Sequence, residues 1–327
     1  MPRTTFRSRT QDCRSTRSKH KKQPPESHPM TDKPRIGFIG AGLMGHGMAK
    51  NLVEAGYPLS VLAHRNREPI DDLVSRGASE ADGVAAIAST AKIVFLCLPG
   101  SPEVEEVVGQ ILSAKGPVAT IVDTSTANPV STRSLAERCH ASGISLVDAP
   151  LSRTPKEAWD GNLDVMVGAS EAVFEKVKPL LDVIGGKVVR VGETGAGHTM
   201  KLLNNFLSLG YAAIYSEALA IGAKGGVSAE VFHSVIGGGR MDCGFYQTFM
   251  NYVVGGDPNA HKFTLRNAHK DMRYLVSLAN ESGIASNVSS VVKNTLATAE
   301  ATGHGSGYLP TLADIVAELN GVGRGKA

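Results

Sequence analysis

Two rhythms divide the chain. From residue 35 to about 190, short apolar runs alternate with stretches in which apolar residues recur every three to four positions; from residue 197 onward only the second rhythm remains. The short runs predict strands at 35–39, 59–63, 93–98, 120–122 and 145–147, with two more near 163–167 and 188–191. Unbroken apolar runs of this length suit strands buried on both faces, as in a parallel sheet. Between them the helical rhythm predicts helices over 44–55, 103–112 and 130–141. After Gly197 one periodic stretch runs to Lys224 and ends at Gly225-Gly226, a helix of about 40 Å at the usual rise. Further helices are predicted over 229–236, 245–253, 265–282, 287–302 and 309–319.

The first strand runs into Gly40-Ala41-Gly42-Leu43-Met44-Gly45, and a helix follows. Gly40 permits a tight turn, Gly42 lets a pyrophosphate approach the backbone, and Gly45 lets helix and strand pack closely. The phosphates then meet unpaired N–H groups at the positive end of the helix. With a strand before it, a helix after it and a second strand at the right distance, the signature predicts an α/β, Rossmann-type doubly wound sheet over residues 32–194. An all-α domain over 195–327 follows, joined to the sheet by the long helix. That helix is too long for one small domain, so it is expected to span both and to pack against a partner subunit.

The end of the second strand bears on the cofactor. An acidic residue there would bind the ribose 2′-hydroxyl of NAD. The chain instead reads Ala63-His64-Arg65-Asn66-Arg67. A carboxylate would repel a 2′-phosphate, whereas a guanidinium pairs with it through two hydrogen bonds. Arg65 and Arg67, with His64 and Asn66 beside them, point to NADP over NAD; solvated loop arginines are the alternative. Loops at the carboxyl ends of such strands face the ligand crevice, which makes Leu98, Pro99 and Thr126 expected cofactor neighbours.

Lys201 and Asn205 lie four residues apart in Gly195-Ala196-Gly197-His198-Thr199-Met200-Lys201-Leu202-Leu203-Asn204-Asn205, so they share a helical face. There a lysine can move a proton while an amide orients a substrate; a surface lysine is the alternative. His198 is read as structural, His269 as a helix-surface or interface residue. Arg240 and Asp242, in a Gly-rich stretch, are candidates for a closing loop.

Composition narrows the class. At 327 residues, 42% hydrophobic and 20% charged, the chain reads as an ordinary soluble protein of about two domains. No run approaches the ~18 apolar residues of a membrane helix. Cys13, Cys97, Cys139 and Cys243 show neither paired spacing nor nearby histidines, so no zinc site or disulfide framework is indicated, and reduced thiols in the cytoplasm are expected. The net charge of +3 conceals an uneven distribution. Residues 1–29 hold eight basic side chains against Asp12 and Glu26, which leaves the remainder at −3. That tail, taken as 1–31, is expected to be disordered. It lacks the apolar core of a secretory signal, and reads as a transit peptide, a nucleic-acid arm or a stretch ahead of a start at Met30. No function is assigned to it.

From residue 34 to about 320 the chain resembles the β-hydroxyacid dehydrogenase family, which includes 3-hydroxyisobutyrate dehydrogenase and tartronate semialdehyde reductase. Four motifs carry the resemblance in order. These are Gly37-Phe38-Ile39-Gly40-x-Gly42-x-Met44-Gly45; Asp148-Ala149-Pro150-Leu151-Ser152 continuing to Gly161-x-Leu163 and Met166-Val167-Gly168; Gly195-x-Gly197-x-x-x-Lys201-x-x-Asn204-Asn205; and Lys270-Asp271. The resemblance implies Lys201 as catalytic acid/base assisted by Asn205, Ser152 as a substrate ligand and Lys270 at the cofactor. Family members usually read Ser-Gly-Gly where this chain has Ser152-Arg153-Thr154. The Arg-Thr pair is similar to that of sulfolactaldehyde reductases in the same family, and Arg153 suits an anion held bidentately; an outward turn to a protein carboxylate is the alternative.

The expected reaction is reversible hydride transfer between the nicotinamide and a short hydroxy acid or semialdehyde carrying an anionic group. It needs no metal. A homo-oligomer, a dimer or tetramer, is expected, with neither nucleic acid nor membrane as partner. The rivals are imine reduction, whose enzymes usually lack the lysine, and a non-catalytic or chromatin-associated dinucleotide-binding module.

Overall fold

The computed structural model describes residues 33–322; Cys13, the predicted basic tail and the last five residues lie outside them. β1 (Ile36–Ile39), β2 (Leu59–Leu62), β3 (Ser79–Ala81), β4 (Ile93–Leu96), β5 (Thr120–Asp123) and β6 (Ser145–Asp148) form a parallel sheet in the order β3-β2-β1-β4-β5-β6. Past β6 the direction changes. β7 (Leu151–Ser152) and β8 (Leu163–Gly168) are antiparallel to each other, β8 is antiparallel to β6, and β9 (Gly185–Gly192) runs parallel to β8.

The continuous apolar runs have a simple cause. Ile36, Phe38, Phe95 and Val122 point into a core with Met48, Leu52, Leu73 and Leu181, while Ile39, Val94, Leu96 and Ile121 point into a second core with Ile87, Val108 and Leu135. Alternate residues of each strand therefore fill opposite faces, and both must be apolar. The covering helices are α1 (Gly45–Glu54), α2 (Glu68–Ser75), α3 (Val84–Ala88), α4 (Ser101–Ala114), α5 (Pro129–Ala141), α6 (Pro155–Trp159) and α7 (Glu171–Ile184).

The remaining helices are α8 (Ala196–Lys224), α9 (Ala229–Ile236), α10 (Gly244–Val253), α11 (Leu265–Glu281), α12 (Asn287–Ala299) and α13 (Leu312–Leu319). They enclose a third core built on Leu202, Leu209, Tyr246, Phe249, Met272, Leu296 and Leu312. α8 begins against β8 and β9 and continues along α11, α12 and α13, so from Pro34 onward sheet and helices form one unit. By length and composition α8 could also cross a bilayer; here Leu202, Leu209 and Ala212 are buried against neighbouring helices.

Most elements missing from the sequence pattern are short or exposed. β3 has three residues with no buried side chain, β7 has two, and α3 and α6 have five each, too few for a period. α2 has eight residues, and α7 is longer but carries Pro179 within it, a residue that reads as a helix breaker. The helix predicted over 287–302 ends at Ala299; a π turn follows, with Gly303 at φ +94°.

Candidate active site

The strand order reverses between β1 and β4, the switch point at which a doubly wound sheet opens a ligand crevice beyond its carboxyl ends. The loop after β1 is shaped by sterics. Gly40 sits at φ +103°, and a Cβ there would lie 2.2 Å from the Cys97 carbonyl oxygen; one at Gly45 would lie 2.0 Å from the Gly40 oxygen. At Gly42 a Cβ would meet nothing within 4 Å, so that glycine opens space rather than filling it. Leu43 is 77% exposed, Met44 is half-buried against the first core, and no side chain caps α1. An open approach to an uncapped helix N-terminus fits a dinucleotide pyrophosphate.

Past β2, His64, Arg65 and Asn66 are exposed, and Asn66 accepts the Glu68 N–H at 3.2 Å. Arg67 departs from expectation. Its Nη atoms donate to both oxygens of Glu80 at 3.0 Å and to Asp71 at 3.1 Å, so protein carboxylates already occupy the guanidinium. Arg65 forms no such pair with any described residue, and the 2′-phosphate argument contracts to it.

The loops after β4 and β5 meet. The Leu98 N–H donates to Ser125 Oγ at 2.9 Å, and Lys270 Nζ on α11 donates to the carbonyls of Pro99 at 2.6 Å and Thr126 at 3.1 Å. Four residues named from sequence, Leu98, Pro99, Thr126 and Lys270, are thus drawn together. Lys270 Nζ also lies 3.3 Å from Asp271 Oδ1, so its ammonium binds the loops together.

Three glycines and one aspartate hold the start of α8. Asp148 is fully buried, and its Oδ1 accepts the Gly195 N–H at 2.6 Å while Oδ2 accepts the His198 N–H at 2.7 Å. The carboxylate therefore caps the helix from another element and meets its positive end. A Cβ at Gly168 would lie 2.3 Å from this carboxylate, and one at Gly197 would lie 2.5 Å from the Met166 carbonyl oxygen. Gly195 adopts φ +94°. His198 is buried, as its structural reading required.

This cap fixes the start of the helix that carries Lys201. Lys201 is half-buried and forms neither hydrogen bond nor ion pair with any described residue. Burial lowers its pKa below the ordinary lysine value; the nearby Asp271 charge opposes this and Lys270 adds to it. One turn on, the buried Asn205 donates to Asp271 Oδ2 at 2.7 Å. Asp271 is itself buried, which raises its pKa against the pull of Lys270, Lys201 and Asn205. From sequence Asp271 was only the partner of Lys270 in a motif. Its place among the apolar residues Ala268, Met272 and Leu275 on the buried face of α11 was the available signal.

The segment after β7 gives mixed results. Ser152 is half-buried at the strand end. Arg153 holds φ +88°, the left-handed conformation that a glycine would adopt without strain, and its Nε lies 3.0 Å from Asp164 Oδ2 on β8. Its guanidinium has thus turned to a protein carboxylate. The Thr154 hydroxyl is also engaged. It caps α6, accepting the Lys156 N–H at 3.3 Å and bonding Glu157, whose carboxylate takes the Thr154 N–H at 3.0 Å. This is a capping box, so the hydroxyl has a structural task where a substrate contact was expected.

His269 pairs with Glu300 at 2.8 Å, and Asp242 accepts the Gly238 N–H at 2.6 Å, folding the Gly-rich loop on itself. Cys97, Cys139 and Cys243 are free, and among the described residues no His, Cys, Asp and Glu cluster could hold a metal.

The chain therefore combines a strand-order switch point with a half-buried amine, unpartnered among the described residues, one turn before a carboxylate-held amide. Comparison with known proteins finds matches in nicotinamide-dependent families. Residues 35–192 match the model for the NAD binding domain of 6-phosphogluconate dehydrogenase, and 195–308 match that for the NAD-binding of NADP-dependent 3-hydroxyisobutyrate dehydrogenase. The 2-(hydroxymethyl)glutarate dehydrogenase of Eubacterium barkeri is 39% identical over 260 residues, covering 78% of this chain and 84% of that protein. The 3-sulfolactaldehyde reductase of Escherichia coli K12 is 30% identical over 274 residues, covering 83% and 91%. The structure of Mycobacterium tuberculosis 3-hydroxyisobutyrate dehydrogenase with L-serine superposes with a TM-score of 0.78 at 24% identity, covering 87% of this chain and 99% of that one.

Proposed function

The chain belongs to the β-hydroxyacid dehydrogenase family, and from that premise we propose that it moves hydride reversibly between NADP and a short β-hydroxy acid or semialdehyde carrying an anionic group. It is a nicotinamide-dependent oxidoreductase acting on CH–OH groups. The observation that carries the finer reading is the Lys201 amine, sheltered from water and free of any partner among the described residues. Bound NADP supplies the hydride donor or acceptor. In reduction the Lys201 ammonium protonates the oxygen that becomes the alcohol; in oxidation the neutral amine takes that proton back. A pKa lowered toward working pH makes both directions accessible. Asn205, held by Asp271, orients the same oxygen.

Ser152 and Arg153 receive the anionic end of the substrate. Because Arg153 is already paired with Asp164, an incoming anion competes with that carboxylate, which favours a substrate group able to engage the fork through two oxygens. Arg65, just past β2 and unpaired among the described residues, supports NADP over NAD because its guanidinium can pair with a 2′-phosphate.

A second copy of the chain is the proposed partner. Leu207, Ile214 and Ile221 along α8 are 58%, 59% and 65% exposed, and Val288 and Val291 on α12 add to the apolar surface. Surface of this kind is covered in an oligomer. Light scattering after gel filtration should give twice the chain mass or more, and Ile214→Glu should lower it.

The test of the reaction is a steady-state screen of short aldehyde acids (carboxylated, sulfonated, phosphorylated) with NADPH and with NADH, run beside Lys201→Ala. Turnover lost in that variant with NADPH binding retained supports the assignment. Loss of NADPH binding instead would mean that the lysine serves the cofactor, and an inert wild-type enzyme across the panel would favour the non-catalytic reading.

A further inference from the structure

His198 lies three residues before Lys201 and is fully buried in the first turn of α8. Its two ring nitrogens reach two other elements: Nε2 lies 3.1 Å from the Ser125 carbonyl oxygen, and Nδ1 lies 2.8 Å from Thr132 Oγ1 on α5. A carbonyl oxygen can only accept, so Nε2 carries a hydrogen and donates it there. Ser125 is itself a junction. Its hydroxyl accepts the Leu98 N–H at 2.9 Å, its own N–H donates to Asp123 Oδ1 at 3.0 Å, and the next carbonyl, that of Thr126, receives Lys270 Nζ.

The backbone of the same histidine is held by Asp148, and the carboxylates of Asp123 and Asp148 stand 3.8 and 4.0 Å from its ring. One imidazole thus ties the two crevice-facing loops, after β4 and β5, to the helix that carries Lys201. An aliphatic side chain could fill the same space, but it could not reach the Ser125 carbonyl with a directional bond.

We propose that His198 is a positioning residue for hydride transfer, its ring fixing the separation between the Ser125–Thr126 loop on the cofactor side and the Lys201 amine on the substrate side. This rests on the reading of Lys201 as proton donor given above. Hydride transfer and protonation act on one carbonyl group, and reacting atoms must be held near 3–3.5 Å, so slippage of about 1 Å between loop and helix costs up to about 100-fold in rate.

The experiment uses the full-length enzyme with His198→Leu, His198→Gln and Thr132→Val, each assayed well below its melting temperature. Single-turnover hydride transfer is followed with NADPH and with NADPH deuterated at the transferred position, on the aldehyde acid turned over fastest by the wild type. NADPH affinity is measured separately, and hydrogen exchange of the segment 124–130 is followed in cofactor-free protein. His198→Leu is expected to slow hydride transfer roughly 10- to 100-fold with a full isotope effect and nearly unchanged NADPH affinity. Exchange in 124–130 should rise more than in the sheet core. His198→Gln, whose amide can still donate to the Ser125 carbonyl, should recover part of the rate, and Thr132→Val should lose less than His198→Leu.

A lower melting temperature with wild-type hydride transfer would make His198 merely structural and overturn the proposal. Should His198→Leu fail to fold, a wild-type rate in Thr132→Val together with unchanged hydrogen exchange in 124–130 would overturn it equally. Lys201→Ala, run alongside, keeps the two readings apart. Undiminished turnover in that variant removes the proton-donor reading, whereas an inactive Lys201→Ala with an unimpaired His198→Leu removes only the positioning role.

Discussion

The Asn205 amide on α8 donates to Asp271 Oδ2 on α11 at 2.7 Å, so the side chain one turn beyond Lys201 is oriented by a buried carboxylate. The same carboxylate supports the charged form of Lys201, against burial and against Lys270. In Asp271→Asn the amide oxygen can still accept from Asn205, but the charge is gone. On the proposed mechanism reduction uses the Lys201 ammonium, so its kcat should fall as pH rises through the folded-state pKa, which lies below the ordinary lysine value. The variant should lose activity at lower pH than the wild type. A descending limb at unchanged pH would disconnect Asp271 from Lys201.

Burying a lysine costs stability. Because the folded-state pKa is depressed, the unfolded chain holds the Lys201 proton more tightly. The penalty is therefore present in full below the folded pKa and is relieved as pH rises from that value toward the unfolded one. Lys201→Met should raise Tm at neutral pH while abolishing turnover, with the gain shrinking as pH rises. Calorimetry across that range checks the sign.

Arg65 and Arg67, two residues apart, should behave differently. Arg67 is occupied by Glu80 and Asp71, whereas Arg65 is unpaired among the described residues. Arg65→Ala should raise KM for NADPH about tenfold or more, the worth of a charge-assisted contact, and leave NADH unaffected. Arg67→Ala should leave the ratio of the two cofactors as it was. Equal losses with both cofactors in Arg65→Ala would remove the 2′-phosphate assignment.

The two non-glycine residues after Ser152 also separate. Thr154→Ala removes one half of a capping box and should cost about 1 kcal/mol, read as a lower Tm with an unchanged substrate ranking. Arg153→Gly relieves a φ of +88° and should leave Tm equal or higher, while preference moves toward simple carboxylates. A raised substrate KM in Thr154→Ala at unchanged Tm would return that hydroxyl to the substrate.

Gly197→Ala tests the seat of α8. Its Cβ would press 2.5 Å from the Met166 oxygen and 2.7 Å from the Asp148 oxygen, both backbone atoms that cannot swing aside. The helix must shift, at a cost of about 1–3 kcal/mol, and Lys201 with it. Turnover should fall more steeply than NADPH binding, as initial rates and fluorescence titration would report.

Much of the site was legible because its signals are local. Gly40, Gly42 and Gly45 report a turn, an opening and a close contact within six residues, and Lys201 and Asn205 share a face by helical period alone. Arg67 was misjudged for the opposite reason: Glu80 sits on β3, an exposed edge strand with no apolar pattern to announce it. Thr154 is different, because Thr154-x-x-Glu157 is a local capping-box signature that was there to be read, in a helix of only five residues with no period to flag it.

The sequence by itself determined the longer buried strands, the long helices and the glycine turn, and it singled out Lys201 and Asn205 as candidates, since each follows from periodicity or from side-chain chemistry over a few positions. Only the tertiary structure decided what surrounds them. Asp148 reaches the N-terminus of α8 from 47 and 50 residues away, Lys270 reaches Pro99 from 171, and His198 reaches Ser125 from 73. Contacts at such separation are created when the sheet brings the carboxyl ends of β4, β5 and β6 side by side. The fold then decides which charged groups are paired and which, like Lys201, are half-buried with no partner among the described residues.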